Sequence, residues 1–482
     1  MATEPFEALV VGARCAGSGA AIALARAGRR VLAIDRATFP SDTLSTHANF
    51  PSAVVEMRRL GVLDRVLALN PPRCCFGMVE AQGVRCRERF SPYKGIDYGL
   101  SVPRPEFDLA LVETAREAGA EVRERTTLLD VHFADGRVSG ARLRERDGRE
   151  YDVSCRLIVG ADGRRSTVAK KVGADVPYRG SRNGRGAAFW YLDDPLVGTD
   201  WQRTLIQYRM RETHALIFPC PGDQLLLLYM GPAADIARFR SDPDGMWEQM
   251  LAENPPVAER VAGHAHRSKV RSTAETTAFF RHSSGSGWAL TGDAGHFKDP
   301  IIGQGMRDAM RFGRLLGEAA APVLEDPATL DAALREVERR RDFECLPTYH
   351  WGNRESRVMP PSAIVHEALR WMNAEPRSEL LRLFDRTGHP QAVLSPWRGA
   401  RWATRALLRP GADRKAILAE ALEEVRIDTD LYRERLLARL GGQPRITRPS
   451  ADERTDYSWP ARAVSRTEGI LDEQPAEVAP VG

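Results

Sequence analysis

The order of apolar and polar positions at the start of the chain predicts a strand, a helix and a second strand. Residues Phe6 to Gly12 form an apolar run that ends on glycine, as buried strands often do. Residues Ala16 to Gly28 are rich in alanine and predict a helix, and residues Arg30 to Asp35 predict the second strand. A βαβ unit of this kind is typical of the opening of a nucleotide-binding α/β fold.

Two later segments have patterns that fit the same fold. Residues Arg104 to Gly119 carry apolar side chains at helical spacing and end on glycine. Alternating runs flank Asp135 and Gly136, which predicts a pair of strands joined by an Asp-Gly turn. The run CRLIVGADG, beginning at Cys155, then predicts a return to the buried parallel sheet.

The pattern changes between about Val176 and Arg271, where short β-like runs such as HALIFPCPGDQLLLLYM alternate with Pro and Gly. These runs predict an inserted antiparallel sheet that forms a substrate domain. From Arg307 to about Leu440 the chain is rich in Arg and helical in period, with breaks near Pro360 and Pro390. The last stretch has no periodicity and is rich in Pro, Asp and Arg, so we expect a flexible tail.

These changes of pattern predict the domain organisation. Residues 1–75, 100–175 and 271–345 form the discontinuous nucleotide-binding domain, and residues 76–99 and 176–270 form the substrate-binding sheet domain. Residues 346–440 form a helical C-terminal region and residues 441–482 the tail.

Composition narrows the class of partner. The chain has 482 residues, of which 43% are hydrophobic, so it can bury a large core; 28% are charged, but the net charge is only +4. This balance favours a small-molecule partner over nucleic acid or an anionic membrane. The seven cysteines are odd in number and show no CxxC spacing, which indicates reduced thiols and no metal site. We find no signal peptide or apolar run of membrane-spanning length, so we expect a cytoplasmic protein.

The first motif is GARCAGSG, Gly12 to Gly19, with Asp35 closing the following strand. Gly12 permits a tight turn and Gly17 lets the helix pack on the strand, while the helix N-terminus faces a pyrophosphate and Asp35 accepts from ribose hydroxyls. Arg14 stands where the GxGxxG fingerprint has its middle glycine.

The second motif is IVGADGRRSTV, Ile158 to Val168, in which a strand ends in Gly-Ala-Asp-Gly before a Ser-Thr helix start. The third is GWALTGDAGHFKDPIIGQGM, Gly287 to Met306. Here a strand delivers Asp293, which can accept from ribityl hydroxyls, and a helix begins near Gly303 with its positive end free to face an anion. Reduced flavin is such an anion.

The order of these motifs, with the Arg104 helix between the first two, resembles the p-hydroxybenzoate hydroxylase superfamily of FAD enzymes over roughly the first 340 residues. The resemblance implies an α/β protein with a Rossmann-like FAD-binding domain, an inserted antiparallel β-sheet substrate domain and a helical C-terminal region. It also implies non-covalent FAD. The residues that it places at the FAD site are Gly12, Arg14, Ala16 and Gly17 around the pyrophosphate, Asp35 and Arg36 by the adenosine, Thr46, Arg104, Val131, Asp162 and Asp293 as further contacts, and Gly303, Gly305 and Met306 by the isoalloxazine.

The same resemblance places Ser41 to Phe50 along the flavin, which makes His47 the candidate acid or base and Pro300 a second candidate catalytic residue. The alternative for His47 is a structural hydrogen bond. Arg307 stands where many members have Asn, so the charge around the flavin differs from theirs.

Only one dinucleotide fingerprint is present, so NAD(P)H is expected as a transient reductant. The resemblance implies a monooxygenase that hydroxylates or epoxidises an aromatic or polyketide-like natural product through a C4a-hydroperoxyflavin. We expect a hydrophobic or aromatic small-molecule substrate and a monomer or homodimer. The C-terminal helices are then a lid or a dimer element, or else a solvated tail.

Other activities occur on this scaffold. The halogenase signature WxWxIP is replaced by FWYLDDP at Phe189 to Pro195, which argues against halogenation. A geranylgeranyl-reductase-like enzyme stays open, because Phe218-Pro219 is present although the residues before it differ from that group. A non-redox cyclase of the [4+2] cycloaddition type, with structural FAD, also stays open.

Overall fold

The computed structural model, which describes residues 4–181, 184–375 and 377–440, has a six-stranded and mostly parallel sheet near its N-terminus. The four strands Trp288–Leu290, Leu157–Gly160, Ala8–Val11 and Val31–Ile34 lie side by side and parallel. Glu121–Arg123 extends the sheet in parallel beyond Val31–Ile34, and Ser284–Gly285 closes the other edge antiparallel. The central strands are apolar throughout because both faces of the sheet are covered.

Two helices meet in close contact against this sheet. Helix Cys15–Arg26 follows the first parallel strand, and helix Gly305–Ala320 lies against it. A Cβ at Gly313 would lie 2.1 Å from the carbonyl oxygen of Ala16, and a Cβ at Gly317 would lie 2.7 Å from that of Ala20. Glycine at these positions therefore brings the two helix backbones together and fixes the start of the second helix beside the first.

A four-stranded sheet packs beside the nucleotide-binding sheet. Its strands, in spatial order, are Glu4–Pro5, Glu150–Ser154, Arg137–Arg144 and Thr127–Ala134. Asp135 and Gly136 join the last two strands with φ angles of 50° and 74°. The predicted Asp-Gly hairpin is therefore confirmed, because a tight hairpin turn of this kind needs positive φ at both central residues.

The inserted sheet has seven strands. Their order is Arg271–Thr273, Arg185–Asp193, Gln224–Pro232, Thr213–Cys220, Thr204–Met210, Phe76–Ala81 and Val84–Arg89. All neighbouring strands are antiparallel except Phe76–Ala81 and Thr204–Met210, which run parallel. Phe76–Ala81 belongs to an early hairpin that joins the edge of a sheet formed mainly by later residues. One face is covered by the helices Ala233–Arg238, Pro243–Glu253 and Pro255–Val261, and the other faces the loop at 41–50 and the C-terminal helices.

Some predicted domain boundaries do not coincide with the ends of the strands and helices in the structure. Arg179–Ser181 lies in a separate three-stranded sheet with Ala278–Phe280 and His296–Phe297, whereas Arg271–Thr273 joins the seven-stranded sheet. The boundary placed between residues 345 and 346 falls inside the helix Pro327–Glu355, which tolerates Pro347 in its interior. Hydrophobic pattern alone did not reveal these strand exchanges, because pairing partners are far apart in the chain.

Helices dominate the C-terminal part, as predicted. They are Pro327–Glu355, Ala363–Ala374, Glu379–Phe384, Pro390–Val393, Pro396–Leu407 and Arg414–Arg439. Pro360 lies in the break after the first of these, while Pro390 begins a short helix instead of ending one. The predicted tail at 441–482 lies outside the described residues. Within the described part of the chain, no helix combines the length and apolar character that crossing a bilayer requires.

The remaining regular elements connect the sheets. They are the strands Ala48–Asn49 and Leu100–Ser101, the helices Pro51–Leu60, Leu63–Ala68, Arg104–Glu117 and Thr167–Lys171, and the 3₁₀ turns Asp200–Arg203, Gly292–Ala294, Pro300–Ile302 and Ala321–Val323.

Candidate functional site

The turn between the first parallel strand and helix Cys15–Arg26 has little room for side chains. Gly12 has φ of +99°, and a Cβ there would lie 2.4 Å from the carbonyl oxygen of Ala161. A Cβ at Gly17 would lie 1.6 Å from the carbonyl oxygen of Gly12. No side chain caps the N-terminus of the helix, so its first backbone N–H groups are available to an anion.

Arg14 begins this helix, but its side chain turns toward the neighbouring loop. Its guanidinium donates to the carbonyl oxygen of Ser41 at 3.1 Å and to Ser41 Oγ at 2.9 Å, and it forms an ion pair with Asp108. The side chain is therefore held by the loop at 41–50 and by helix Arg104–Glu117.

Asp35 lies directly beside the same turn. Its carboxylate accepts the N–H of Ala13 at 2.9 Å and the N–H of Ala37 at 2.8 Å. Arg36 is exposed, and Val131 is buried in the apolar cluster beneath this end of the sheet. The two carboxylate oxygens can each accept a further hydrogen bond, so Asp35 remains able to bind a hydroxyl.

Asp162 acts locally. Its carboxylate accepts the hydroxyl of Ser166 at 2.6 Å and the N–H groups of Thr167 and Val168 at 2.6 and 3.2 Å, so it caps the helix Thr167–Lys171. Its backbone N–H lies 3.0 Å from the Cβ position of Gly12. The structure therefore brings Asp162 to the turn, but directs its side chain into the following helix.

Asp293 has a different environment. Within the described residues its carboxylate has no hydrogen-bond partner. Burial raises the pKa of Asp293, and this effect exceeds the opposite effect of the nearby positive charge of Arg164. The adjacent Gly292 has φ of +59°, and a Cβ there would lie 2.7 Å from the Cβ of Ala16. The first and third sequence motifs are thus in direct contact, with an unpartnered carboxylate at their junction.

The third motif ends in an open helix start. Gly303 has φ of +63°, and its Cβ position lies 3.1 Å from the ring of Phe50. Gly305 is exposed, and a Cβ there would have nothing within 4 Å, so free space lies over the first turn of helix Gly305–Ala320. No side chain caps this helix. Pro300 begins the 3₁₀ turn just before it.

The loop at 41–50 passes this helix start, as predicted. Ser45 Oγ donates to Met306 Sδ at 3.3 Å, and Thr46 is buried between Ser45 and His47. His47 is fully buried with φ of 60°, and its ring contacts Phe189 and Tyr191 from the inserted sheet. Burial and the charge of Arg104 lower the pKa of His47 to about 3, so the ring is neutral at physiological pH.

Sequence reasoning missed Asp108, which is fully buried. It accepts from Arg104 Nε at 3.0 Å and Nη2 at 2.9 Å, forms the ion pair with Arg14 and accepts from Cys15 Sγ at 3.6 Å. The i, i+4 spacing of Arg104 and Asp108 on a predicted helix was the available signal. Arg104 is thus neutralised by Asp108, and the pair holds Arg14.

A second buried cluster forms around Asp308. It pairs with Lys298, with Arg307 at 2.7 Å and with Arg386, and His296 Nε2 lies 3.9 Å from it. Arg307 therefore has its guanidinium directed at a carboxylate. His296, Asp308 and Cys345 also lie close together, but the three cations on Asp308 oppose a metal ion there.

The strand order, the glycine turn and the two open helix starts define a dinucleotide-binding α/β protein whose second helix leaves room for a flat ligand. Comparison with known proteins gives the family. Residues 6–343 match the FAD binding domain family, so the chain belongs to that family. It is an FAD-dependent oxidoreductase of the superfamily that its motifs resembled. The open space over Gly305 and the unpartnered carboxylate of Asp293 fit the chemistry of FAD, which has a flat ring system and ribityl hydroxyls that donate hydrogen bonds.

Individual relatives have different activities. The chain is 27% identical over 343 residues to digeranylgeranylglycerophospholipid reductase of Methanosarcina mazei. The aligned residues cover 70% of this chain and 80% of that relative. The chain is 28% identical over 347 residues to menaquinone reductase of Mycolicibacterium smegmatis, covering 65% of this chain and 75% of the relative. Among solved structures, PqsL of Pseudomonas aeruginosa, a probable FAD-dependent monooxygenase, superposes with a TM-score of 0.59 at 18% identity, covering 78% of this chain and 99% of PqsL.

Proposed function

We propose that the protein is an NAD(P)H-dependent FAD monooxygenase that hydroxylates or epoxidises a bulky apolar molecule, aromatic or polyketide-like. The observation that carries the proposal is the open N-terminus of helix Gly305–Ala320 beside a dry and uncharged wall. Met306, Phe50 and the neutral pair His47 and Tyr191 supply that wall. Oxygen transfer requires that water be kept from the reacting flavin, and apolar walls do this.

The proposed FAD contacts follow from the placement of the predicted residues. We infer that Asp162 and Arg104 act through the turn and through Arg14, and that the other predicted residues contact the cofactor. Those contacts are Gly12, Arg14, Ala16 and Gly17 at the pyrophosphate, Asp35, Arg36 and Val131 at the adenosine, Asp293 at the ribityl chain, and Thr46, Pro300, Gly303, Gly305 and Met306 at the isoalloxazine.

FAD, when bound, supplies the redox chemistry by accepting a hydride and passing electrons on to O₂ or to the substrate. The protein positions the reactants and sets the electrostatics. Backbone N–H groups at Gly305 and Met306 would stabilise negative charge on the flavin ring, since no side chain competes for them. His47 is neutral near pH 7 and both of its ring nitrogens are hydrogen-bonded, so it holds Tyr191 and the loop in place.

A second candidate function is the reduction of carbon–carbon double bonds in a long apolar chain. The digeranylgeranylglycerophospholipid and menaquinone reductases at 27% and 28% identity favour it. The same FAD site serves this reaction, with hydride passing to the substrate instead of electrons passing to O₂. In this proposal NAD(P)H would reduce the flavin in both cases, so the two functions differ in what happens after the flavin is reduced.

The experiment that tests the proposal mixes the FAD-loaded protein anaerobically with NADH or NADPH and a panel of polycyclic and isoprenoid compounds. Flavin bleaching is followed by stopped-flow, and the reduced protein is then mixed with isotope-labelled O₂. Oxygen label in the product supports monooxygenation. Product formed without O₂, carrying deuterium from labelled NAD(P)H through the flavin, overturns it in favour of the double-bond reductase. If neither nicotinamide reduces the flavin, the proposal fails and a non-redox cyclase is favoured.

A further inference from the structure

A cavity of about 280 Å³ lies between the inserted sheet and the C-terminal helices. It is separate from the open helix start at Gly305. Helices Ala363–Ala374, Glu379–Phe384, Pro396–Leu407 and Arg414–Arg439 and the segment 357–362 form most of its wall. The inserted sheet contributes Arg209 and His214, from strands Thr204–Met210 and Thr213–Cys220. The apolar side chains on the wall include Ile364, Leu369, Met372, Leu383, Phe384 and Trp402.

One polar side chain at this cavity has an unused hydrogen-bonding atom. His214 is 5% exposed and borders the cavity, and its Nδ1 lies 3.3 Å from Gln207 Nε2. Within the described residues, His214 Nε2 has no hydrogen-bond partner. The His214 ring is almost fully buried, so an Nε2 that makes no hydrogen bond and keeps some exposed surface at the cavity points to a ligand atom.

The neighbouring groups determine where the His214 proton is. Gln207 Oε1 accepts from Arg209 Nη2 at 3.3 Å, which turns the amide nitrogen of Gln207 toward His214. Nδ1 therefore accepts a hydrogen bond, and the proton of the neutral ring is on Nε2. Burial and the charges of Arg185 and Arg209 lower the pKa of His214 well below its usual value, so the ring stays neutral. The cavity thus has a neutral N–H donor.

Arg209, Arg354 and Glu420 at the cavity are already paired, whereas Asp428 has no partner within the described residues and burial raises its pKa. Arg209 binds Glu355 at 2.6 Å, Arg354 binds Glu424, and Glu420 accepts the hydroxyl of Ser362 at 2.7 Å. Burial also raises the pKa of Glu420. An ionic ligand would have to compete with these partners, whereas a neutral ligand would not.

An aromatic layer separates the cavity from the predicted flavin position. The ring of Phe384 lies 5.0 Å from that of Trp351 and 5.8 Å from that of Phe50, which in turn covers Gly303. A molecule bound at His214 therefore lies beyond this layer and does not occupy the flavin pocket.

We propose that this cavity is a second ligand site, which binds a neutral apolar molecule through one oxygen acceptor, a carbonyl or an ether, hydrogen-bonded to His214 Nε2. The site goes beyond the proposed oxidation, because binding there involves no flavin chemistry and is measurable without turnover.

The test compares two probes of nearly equal shape, 2-acetylnaphthalene and 2-ethylnaphthalene, which differ in one carbonyl oxygen. Calorimetric titration of the FAD-loaded protein is expected to give about fivefold tighter binding of the ketone, the effect of one neutral hydrogen bond. His214→Leu is expected to bind both probes equally, at the affinity of the hydrocarbon. Met372→Trp fills the cavity and is expected to weaken both by more than about tenfold.

His366→Leu is the matched control. His366 lies on helix Ala363–Ala374 outside the cavity wall, so the same substitution there is expected to leave the ketone preference unchanged. FAD content and thermal unfolding are measured for each variant. Failure of the native protein to bind either probe overturns the proposal, as does a ketone preference that persists in His214→Leu. If His214→Leu does not fold, Met372→Trp decides alone, since unchanged binding of both probes would place them elsewhere.

Discussion

The hydroxyl oxygen of Tyr191 lies 2.7 Å from Nε2 of His47, across the boundary between the inserted sheet and the loop at 41–50. His47 Nδ1 lies 2.9 Å from the carbonyl oxygen of Ser45, which can only accept. The ring proton is therefore on Nδ1, and Nε2 accepts the hydroxyl proton of Tyr191. His47, the candidate acid or base, is thus a neutral ring in which both nitrogens are hydrogen-bonded.

Replacing His47 is expected to change how stability depends on pH. Its folded pKa of about 3 is below the unfolded value of about 6.5, so the unfolded chain binds the proton first as pH falls. The contribution of neutral His47 to the free energy of unfolding is fully present above about pH 6.5. It decreases as pH falls toward 3, by up to about 1.4 kcal/mol per pH unit. The substitution His47→Asn removes this pH-dependent contribution, and asparagine tolerates the positive φ at this position.

Urea unfolding at pH 7 and pH 5 checks this prediction. His214 and His296 also have lowered pKa values and remain in both proteins, so the comparison isolates His47. The variant is expected to lose less stability than the native protein on acidification, by about 1 to 2 kcal/mol. Equal losses in the two proteins would mean that His47 is not held neutral.

Asp293→Asn is expected to weaken FAD binding while leaving the apoprotein at least as stable. The carboxylate has no protein partner among the described residues, and burial of its charge raises its pKa, so the apoprotein gains nothing from it. A hydrogen bond from a ribityl hydroxyl to a carboxylate contributes about 1.5–3 kcal/mol, so we expect FAD affinity to fall by roughly 10- to 150-fold.

Flavin fluorescence titration of the apoprotein measures the affinity of Asp293→Asn, and thermal unfolding without FAD measures its stability. Asp162→Asn is the contrasting variant, because Asp162 caps a helix and its loss is expected to destabilise the apoprotein by about 1 kcal/mol. The reverse pattern, with Asp293→Asn destabilised and its FAD affinity intact, would assign Asp293 a structural role.

Gly305→Val is expected to reduce FAD binding strongly with little effect on the fold. The space over Gly305 is open, so the added side chain meets no protein atom at its Cβ but would project toward the isoalloxazine. Gly17→Ala, in contrast, would place its Cβ 1.6 Å from a backbone oxygen and is expected to prevent folding of the turn. FAD content after gel filtration and far-UV circular dichroism separate the two effects. Normal FAD content in Gly305→Val would exclude a flavin from this position.

An apolar stripe on helix Arg414–Arg439 predicts the homodimer form of the protein. Successive members of the stripe are four, three, seven and four residues apart, as in a coiled-coil seam, and each residue is 53% to 62% exposed. The chain after Leu440 begins with Gly-Gly-Gln-Pro and carries no such spacing, so we expect a second copy of the stripe to be the partner. The stripe consists of Leu418, Leu422, Val425, Tyr432 and Leu436.

Sedimentation velocity of Leu422→Glu and of the native protein tests the stripe. The native protein is expected to sediment as a dimer and the variant as a monomer, with FAD content unchanged. Arg426→Glu is the control, because Arg426 is exposed on the same helix outside the stripe. A native monomer, or a variant that remains dimeric, would show that two copies do not pair here.

The sequence predicted those parts of the site that depend on local order. The glycine turn, the carboxylate of Asp293 and the helix start at Gly305 each follow a strand in a recognisable motif. Tyr191 could not be found in this way, because it reaches His47 only through the register of the inserted sheet. The side-chain direction of Asp162 was a local signal, since its partners Ser166 and Thr167 lie in the same motif. The pairing of Asp308 with Arg386 could not be predicted, because the two residues are far apart in the sequence.

The close contact between Ala16 and Gly313 affects how the chain is made in the cell. Almost 300 residues separate the two helices, and a ribosome adding about 5–20 residues per second needs roughly 15–60 s to produce them. Throughout that interval the alanine-rich face of helix Cys15–Arg26 has no partner helix. Newly made chains therefore expose this surface for longer than a small domain would, so we expect chaperones that cover apolar surface to raise the yield of folded protein.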